Sequence, residues 1–227
     1  MEPDLHSFYG PPSSSTALYA LAFKSRLINF TGNEEQSELA ATIFWGLRNI
    51  SIKKQTPIQL ETSTNDYIPF SDRVELLERE TENLLHNCLE EIGPALVSGK
   101  LHPLGILALF AYAGLIYICL EFRDMVYSCM TCDLAARLET GMDLPDPELN
   151  VLLGTFPELM LWILFVGGGA ARPKARIWFA KTASKILRVK KMSEEEGVRN
   201  ASKSFLWPEG RENYDDFIEN DTETADL

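Results

Sequence analysis

Four groupings in this sequence carry residue types that could do chemistry. The pair Cys129-x-x-Cys132 has the spacing of half a zinc site or of a redox pair. Gly167-Gly168-Gly169 offers bare backbone, as a phosphate-cradling loop does. The segment from Arg172 to Lys191 contains eight bases and no acid, which suits contact with phosphate oxygens. From Glu209 to Leu227 there are eight acids and one base, Arg211, mixed with Tyr214, Phe217 and Ile218. That mixture fits an activation segment and a solubilising tail equally well.

Each chemistry needs neighbours, and the neighbours decide. A structural zinc site needs a second ligand pair at short spacing. The other candidates, Cys88, Cys119, His86 and His102, are scattered singly. A redox pair calls for a βαβ context that the pattern lacks. On a helix, positions i and i+3 share a face, so Cys129 and Cys132 read as two small core residues. A P-loop would continue with Gly-Lys-Ser/Thr, but Ala170-Ala171-Arg172 follow the glycines, and Arg172 stands where a dinucleotide fingerprint has its third glycine. The glycines therefore read as positions where a helix approaches closely or the chain turns. Ile177, Trp178, Ile186, Leu187 and Val189 interrupt the basic run at roughly helical spacing, as in an amphipathic helix with a solvated basic face. No Gly-x-Ser-x-Gly or His-Glu-x-x-His occurs, and acid pairs such as Glu90-Glu91 belong to charged helix faces. The sequence points to no catalytic residue, no cofactor-binding residue, no cofactor and no metal ligand.

The elements that hold these groupings are helical. A chain of 227 residues is long enough to bury a core, and its net charge of −12 argues against broad nucleic-acid binding. MEPDLHSFYGPPSSS has neither the basic nor the apolar part of a secretory signal, so reduced thiols are expected. Residues 1–15 are expected to be disordered, 16–207 to form one helical domain, and 208–227 to be a disordered acidic tail. Ser15 or Thr16 can cap a helix through Leu18, Leu21, Ala22 and Leu27. Asn33 with Gln36 resembles a capping box opening a helix through Leu39, Ile43, Phe44 and Leu47. Gln55 to Phe70 reads as a loop. Asp72 with Glu75 suits the cap of a longer helix, faced by Leu77, Leu84, Leu85, Cys88 and Ile92 and stopped by Gly93-Pro94. Leu104–Leu120 is uncharged, Cys129–Leu138 suits a short helix, and Leu144–Asp146 with Pro147 reads as a turn. No hairpin or repeat is seen. The fold class is all-α, a multi-helix globular bundle with a central apolar helix.

Leu104–Leu120 also invites a membrane reading. It falls slightly short of the about 20 residues a span needs. The hydroxyls of Tyr112 and Tyr117 within the run suit a protein core better than lipid. A membrane-associated protein using 104–120 as its span is the alternative to a soluble bundle.

One stretch is more specific. Leu161-Trp162-Ile163-Leu164-Phe165-Val166-Gly167-Gly168, then Ala170-Ala171, Arg176, Trp178-Phe179 and a closing Phe205-Leu206-Trp207 resemble the C-terminal part of the fungal-specific transcription factor domain. Leu104 to Arg123, with Leu115-Ile116-Tyr117, resembles that family's upstream apolar helix. The resemblance covers about residues 72–207. It implies an all-helical, non-enzymatic regulatory or interaction domain of a nuclear transcription regulator, with protein partners or the transcription machinery as its contacts. Cytoplasm and membrane are the alternative locations. Such regulators usually carry a zinc binuclear cluster of six cysteines, which this chain does not contain, so direct DNA binding is not carried over. A truncated regulator, a diverged paralogue and a partner acting by protein contact all remain open. Trp162, Phe165, Trp178, Phe179, Phe205, Leu206 and Trp207 are expected in the core.

Overall fold

The computed structural model describes residues 14–55, 69–93, 101–123, 129–191 and 193. Among them are eight helices and no strand: α1 Ser14–Thr31, α2 Glu34–Gln55, α3 Phe70–Ile92, α4 Gly105–Phe122, α5 Cys129–Gly141, α6 Asp146–Thr155, α7 Pro157–Ala170 and α8 Pro173–Lys190. The all-α bundle is thus the observed fold.

Its centre is α4. Every residue from Ile106 to Leu120 is buried, because α2, α3, α5 and α7 all pack against this helix. Length and composition would let α4 cross a membrane, yet 83% of its window is buried inside the protein. A helix apolar on all sides finds its partners here in other helices. An aromatic chain runs across it. Phe44 meets Phe23, Phe23 meets Phe110, and Phe110 and Tyr117 flank Trp162 with ring centroids 5.9 and 6.0 Å away. Tyr117 continues to Phe122 and from there to Phe70. The Tyr117 hydroxyl is 2.8 Å from Ser51 Oγ, which donates to the Leu47 carbonyl, so the buried polar tip is satisfied within α2.

Helix ends explain most boundaries. Asn33 Oδ1 accepts from the Gln36 N–H at 3.0 Å, as the capping reading expects. The reciprocal half of the box is absent. The Asn33 N–H donates instead to Thr31 Oγ1, and the buried Gln36 Oε1 has no partner. Asn33→Ala should therefore lower stability by about 1 kcal/mol, read as a shift in the urea midpoint. An unchanged midpoint would show that the cap is replaced by solvent. Gly93 ends α3 at φ 50°, donating its N–H to the Leu89 carbonyl, so the stop at Gly93 is observed, while Pro94 lies outside the described residues.

Other boundaries differ from the sequence reading. α1 already includes Ser14 and Ser15, so the expected cap at Ser15 or Thr16 lies inside the helix, and Ser14 and Ser15, expected to be disordered, are helical. Its inward face is Phe23 and Leu27, with Phe30 half-buried, while Leu21 is 60% exposed and Ala22 is exposed too. Leu18 lies outside the described side chains. α3 starts at Phe70 after Pro69, so Asp72 sits in the first turn rather than at the cap and favours the positive helix end by its charge. The expected turn at Leu144–Asp146 opens a helix, α6. Pro147 lies in its first turn, where a missing N–H costs nothing. Helix α2 runs on to Gln55. Most of 1–15, residues 56–68, which fall in the expected loop, and all of 208–227 lie outside the described residues.

α6 and α7 meet at an angle of 109°. Phe156 is the corner, and α1 clasps it. Phe30 packs edge-on against Phe156, the Arg26 guanidinium lies 5.6 Å from the ring centroid, and Arg26 donates to the Thr155 carbonyl at 2.7 Å.

Candidate interaction surface

Helix α7 is a buried rod, and α8 returns along it. Pro173 occupies the first turn of α8, and Arg176 Nε donates to the Ala171 carbonyl at 3.1 Å, fixing the turn between the helices. Phe179, Ala183, Ile186 and Leu187 face inward and are buried. The Phe179 ring fits into a notch left by Gly167. A Cβ there would lie 2.6 Å from Phe179 Cε1 and 2.7 Å from Leu138 Cδ2. Gly167 thus lets α5 and α8 close on α7, as the close-approach reading of the glycines expects. Gly169 has nothing within 4 Å of a built Cβ and plays no such part.

With its inner face anchored, α8 turns the rest outward. Lys174, Ile177, Lys181, Lys185 and Arg188 recur at three- and four-residue steps and are exposed, with Lys190 and Lys191 at the end. Lys185 reaches Asp146 at 3.4 Å, and both groups are well exposed. Among the described residues, the side chains of Lys174, Lys181, Arg188 and Lys190 have no hydrogen-bond or ion-pair partner. Ile177 is 41% exposed in the middle of this stripe, and Trp178 beside it is half-buried, edge-on to Phe179 at 5.0 Å. The surface is a rigid basic strip with an apolar centre. The basic outer face expected from the sequence is observed, with Ile186 and Leu187 buried on the inner side, but Ile177, read with the apolar side of the helix, is exposed on the basic face, and Trp178, expected in the core, is only half-buried. Val189 lies outside the described side chains.

The other groupings do not assemble. Cys129 is exposed, with its Sγ 3.9 Å from Asp133, and Cys132 donates to the Ala170 carbonyl at 3.5 Å. Among the described residues no three His, Cys, Asp or Glu side chains are placed to hold a metal ion. Cys88 and Cys119 are buried on separate helices. Burial, with a smaller contribution from nearby glutamates, pushes the Cys88 thiol up to about 12 and the Cys119 thiol up to about 11. His86 pairs with Glu90 one turn on.

Both thiols have folded values above the ordinary one, so burial stabilises the fold fully below about pH 9 and ceases to do so as pH rises towards 11–12. The urea midpoint should be level between neutrality and about pH 8.5 and fall above pH 9. In the native protein at pH 8, iodoacetamide should label Cys129 well before Cys88 or Cys119, as read by peptide mass spectrometry. Equal labelling would show that the two buried sites are open to solvent.

A shallow cleft of about 570 Å³ was not foreseen. It is lined by the α1–α2 turn, Glu91 and His102–Leu104. Asn33 Nδ2 donates to Glu91 Oε2 at 3.3 Å, and His102 Nδ1 accepts from the Leu104 N–H at 3.2 Å. No spacing rule links residues 33, 91 and 102. The cleft is built by tertiary packing. Phe205, Leu206 and Trp207 lie outside the described residues. Compared with protein-family models, curated proteins and solved structures, the chain gives no match.

Proposed function

We propose that this chain is a non-enzymatic regulatory interaction domain of a transcription-regulator-like protein. It works by holding a protein partner on the outer face of α8. The observation that carries the reading is the stripe Lys174–Ile177–Lys181–Lys185–Arg188, exposed on a helix whose other face is locked into the body by Phe179. Such a face fits an acidic partner segment bearing an aromatic or aliphatic side chain. The charges steer and orient the encounter, and Ile177 with the edge of Trp178 supplies the apolar contact. The link to transcription rests on the resemblance of Leu161–Gly168, Ala170-Ala171, Arg176 and Trp178-Phe179 to the fungal-specific transcription factor domain. In that reading the chain acts in the nucleus, and DNA is read by residues outside it.

Fusing the whole chain to a heterologous DNA-binding domain tests the proposal. Reporter output should depart from that of the DNA-binding domain alone. Lys174→Glu with Lys181→Glu should return it to baseline at equal expression. Output that never departs from baseline in a well-expressed nuclear fusion would defeat the transcriptional reading. Recovery of the native chain in a carbonate-resistant membrane pellet would replace it with the membrane-associated alternative.

A further inference from the structure

The sequence beyond α8 contains a segment complementary to the surface just described. Residues 209–227 carry eight acids and one base, against eight bases and no acid in 172–191. Apolar side chains punctuate both segments. Ile177 stands exposed among the bases, and Tyr214, Phe217 and Ile218 stand among the acids. Asp215 and Asp216 precede Phe217-Ile218, with Glu219 immediately after, so the apolar group is flanked by carboxylates as Ile177 is flanked by Lys174 and Lys181. The connection is long enough. Helix α8 has 18 residues, or about 27 Å at the helical rise. About twenty residues separate Lys191 from Glu212, and extended chain covers roughly 3.3 Å per residue, so the segment can return along the full length of the helix. Within one chain the second segment meets α8 as an intramolecular partner, which raises its effective concentration over that of a free peptide.

We infer that residues 209–227 dock intramolecularly on the outer face of α8, covering the basic stripe until an acidic partner segment displaces them. This rests on the reading of that face as the interaction surface, and it adds its regulation. Tyr214, Phe217 or Ile218 contacts Ile177 and Trp178, while the flanking carboxylates meet Lys174, Lys181, Lys185 and Arg188. The contact weakens with salt, because the α8 charges are solvent-facing and the screening length falls to about 3 Å at 1 M.

Carbodiimide cross-linking of the intact chain tests this directly, since it joins carboxylates to lysine amines already in contact. Peptide mass spectrometry then identifies the pairs. A mixture of ¹⁴N and ¹⁵N chains separates links within a chain from links between chains. Expected are links from Lys174, Lys181 or Lys185 to acids of 209–226 with both ends on the same chain, absent at 1 M salt. Arg172→Glu with Arg188→Glu keeps every lysine, so a loss of links reports lost attraction rather than a lost reactive group. The yield should fall roughly threefold or more, with an unchanged circular dichroism spectrum. Absence of such links, links between chains only, or a yield insensitive to salt and to the arginine variant overturns the inference. So does protection of the α8 lysines by duplex DNA with no links to the tail, which would assign the face to nucleic acid. A chain that shifts the reporter but forms no intramolecular link loses this inference and keeps the proposed function.

Discussion

Trp162→Ala is expected to cost about 3–5 kcal/mol and to lower the melting temperature by roughly 6–20 °C for a chain of this size. Trp162 is 1% exposed and lies between Phe110 and Tyr117, so its removal opens a cavity between α4 and α7, where the aromatic chain crosses the bundle. Both surrounding rings belong to α4, which is held by α2, α3 and α5 as well, and cannot collapse far into the gap. That rigidity places the cost toward the upper end of the range. Small domains are stable by only about 5–15 kcal/mol, so the variant should be partly unfolded at physiological temperature. Differential scanning fluorimetry reads the shift, and Trp162→Phe should recover much of it by restoring an aromatic partner. A melting temperature unaltered by Trp162→Ala would mean that α7 is not packed on α4 as described.

Gly167→Ala should lower the melting temperature while Gly169→Ala leaves it unchanged or raises it. Both replace a helical glycine and gain up to about 1 kcal/mol of helix propensity. At Gly169 nothing opposes that gain. At Gly167 the new Cβ would meet the Phe179 ring at 2.6 Å and Leu138 at 2.7 Å, on two different neighbouring helices. Leu138 can rotate away, but Phe179 is a flat ring pinned at the α7–α8 contact. Overpacking of this kind costs about 1–3 kcal/mol, which exceeds the propensity gain. A net fall of up to about 8 °C is the outcome. Phe179→Leu in the Gly167→Ala background should return part of the loss, a coupling that independent sites do not show. A fall at Gly167 without a fall at Gly169 is the signature. A stabilising Gly167→Ala would show that α8 sits further from α7 than the geometry gives.

The two glycines show where sequence reasoning stopped. Close helix approach was legible for the triplet as a whole, but nothing in Gly167-Gly168-Gly169 says which glycine faces Phe179. That depends on how α7 is rotated about its axis, and a helix buried almost all round carries no periodic mark of rotation. Amphipathic elements were easier. The face of α3 through Leu77, Leu84, Cys88 and Ile92 and the inner face of α8 through Ile186 and Leu187 could be read from spacing, because their polar sides define the register. In α1 Leu21 misled, since an apolar residue exposed at a helix surface looks like a core position until the partner helix is known. α6 was hidden by Pro145 and Pro147, which mark a turn and a helix start with the same residue type. The cleft around Glu91 and His102 had no local signal at all, because it joins side chains from separate helices and turns. The basic face of α8 was legible as a face. Its projection from a fixed body follows from Phe179 and Gly167.

That projection has a consequence for local opening. Helix α8 rests mainly on α7, with a smaller contact to α5, whereas α4 is enclosed by α2, α3, α5 and α7. An element seated on one side can detach as a sub-global unit at a lower free energy than a central one. Amide hydrogens of Phe179 to Leu187 should therefore exchange through opening of α8 alone, and those of Leu109 to Ile118 only through global unfolding. Anything seated on the basic stripe would then slow exchange in α8 and leave α4 unaltered, so the exchange map itself reports occupancy of the surface.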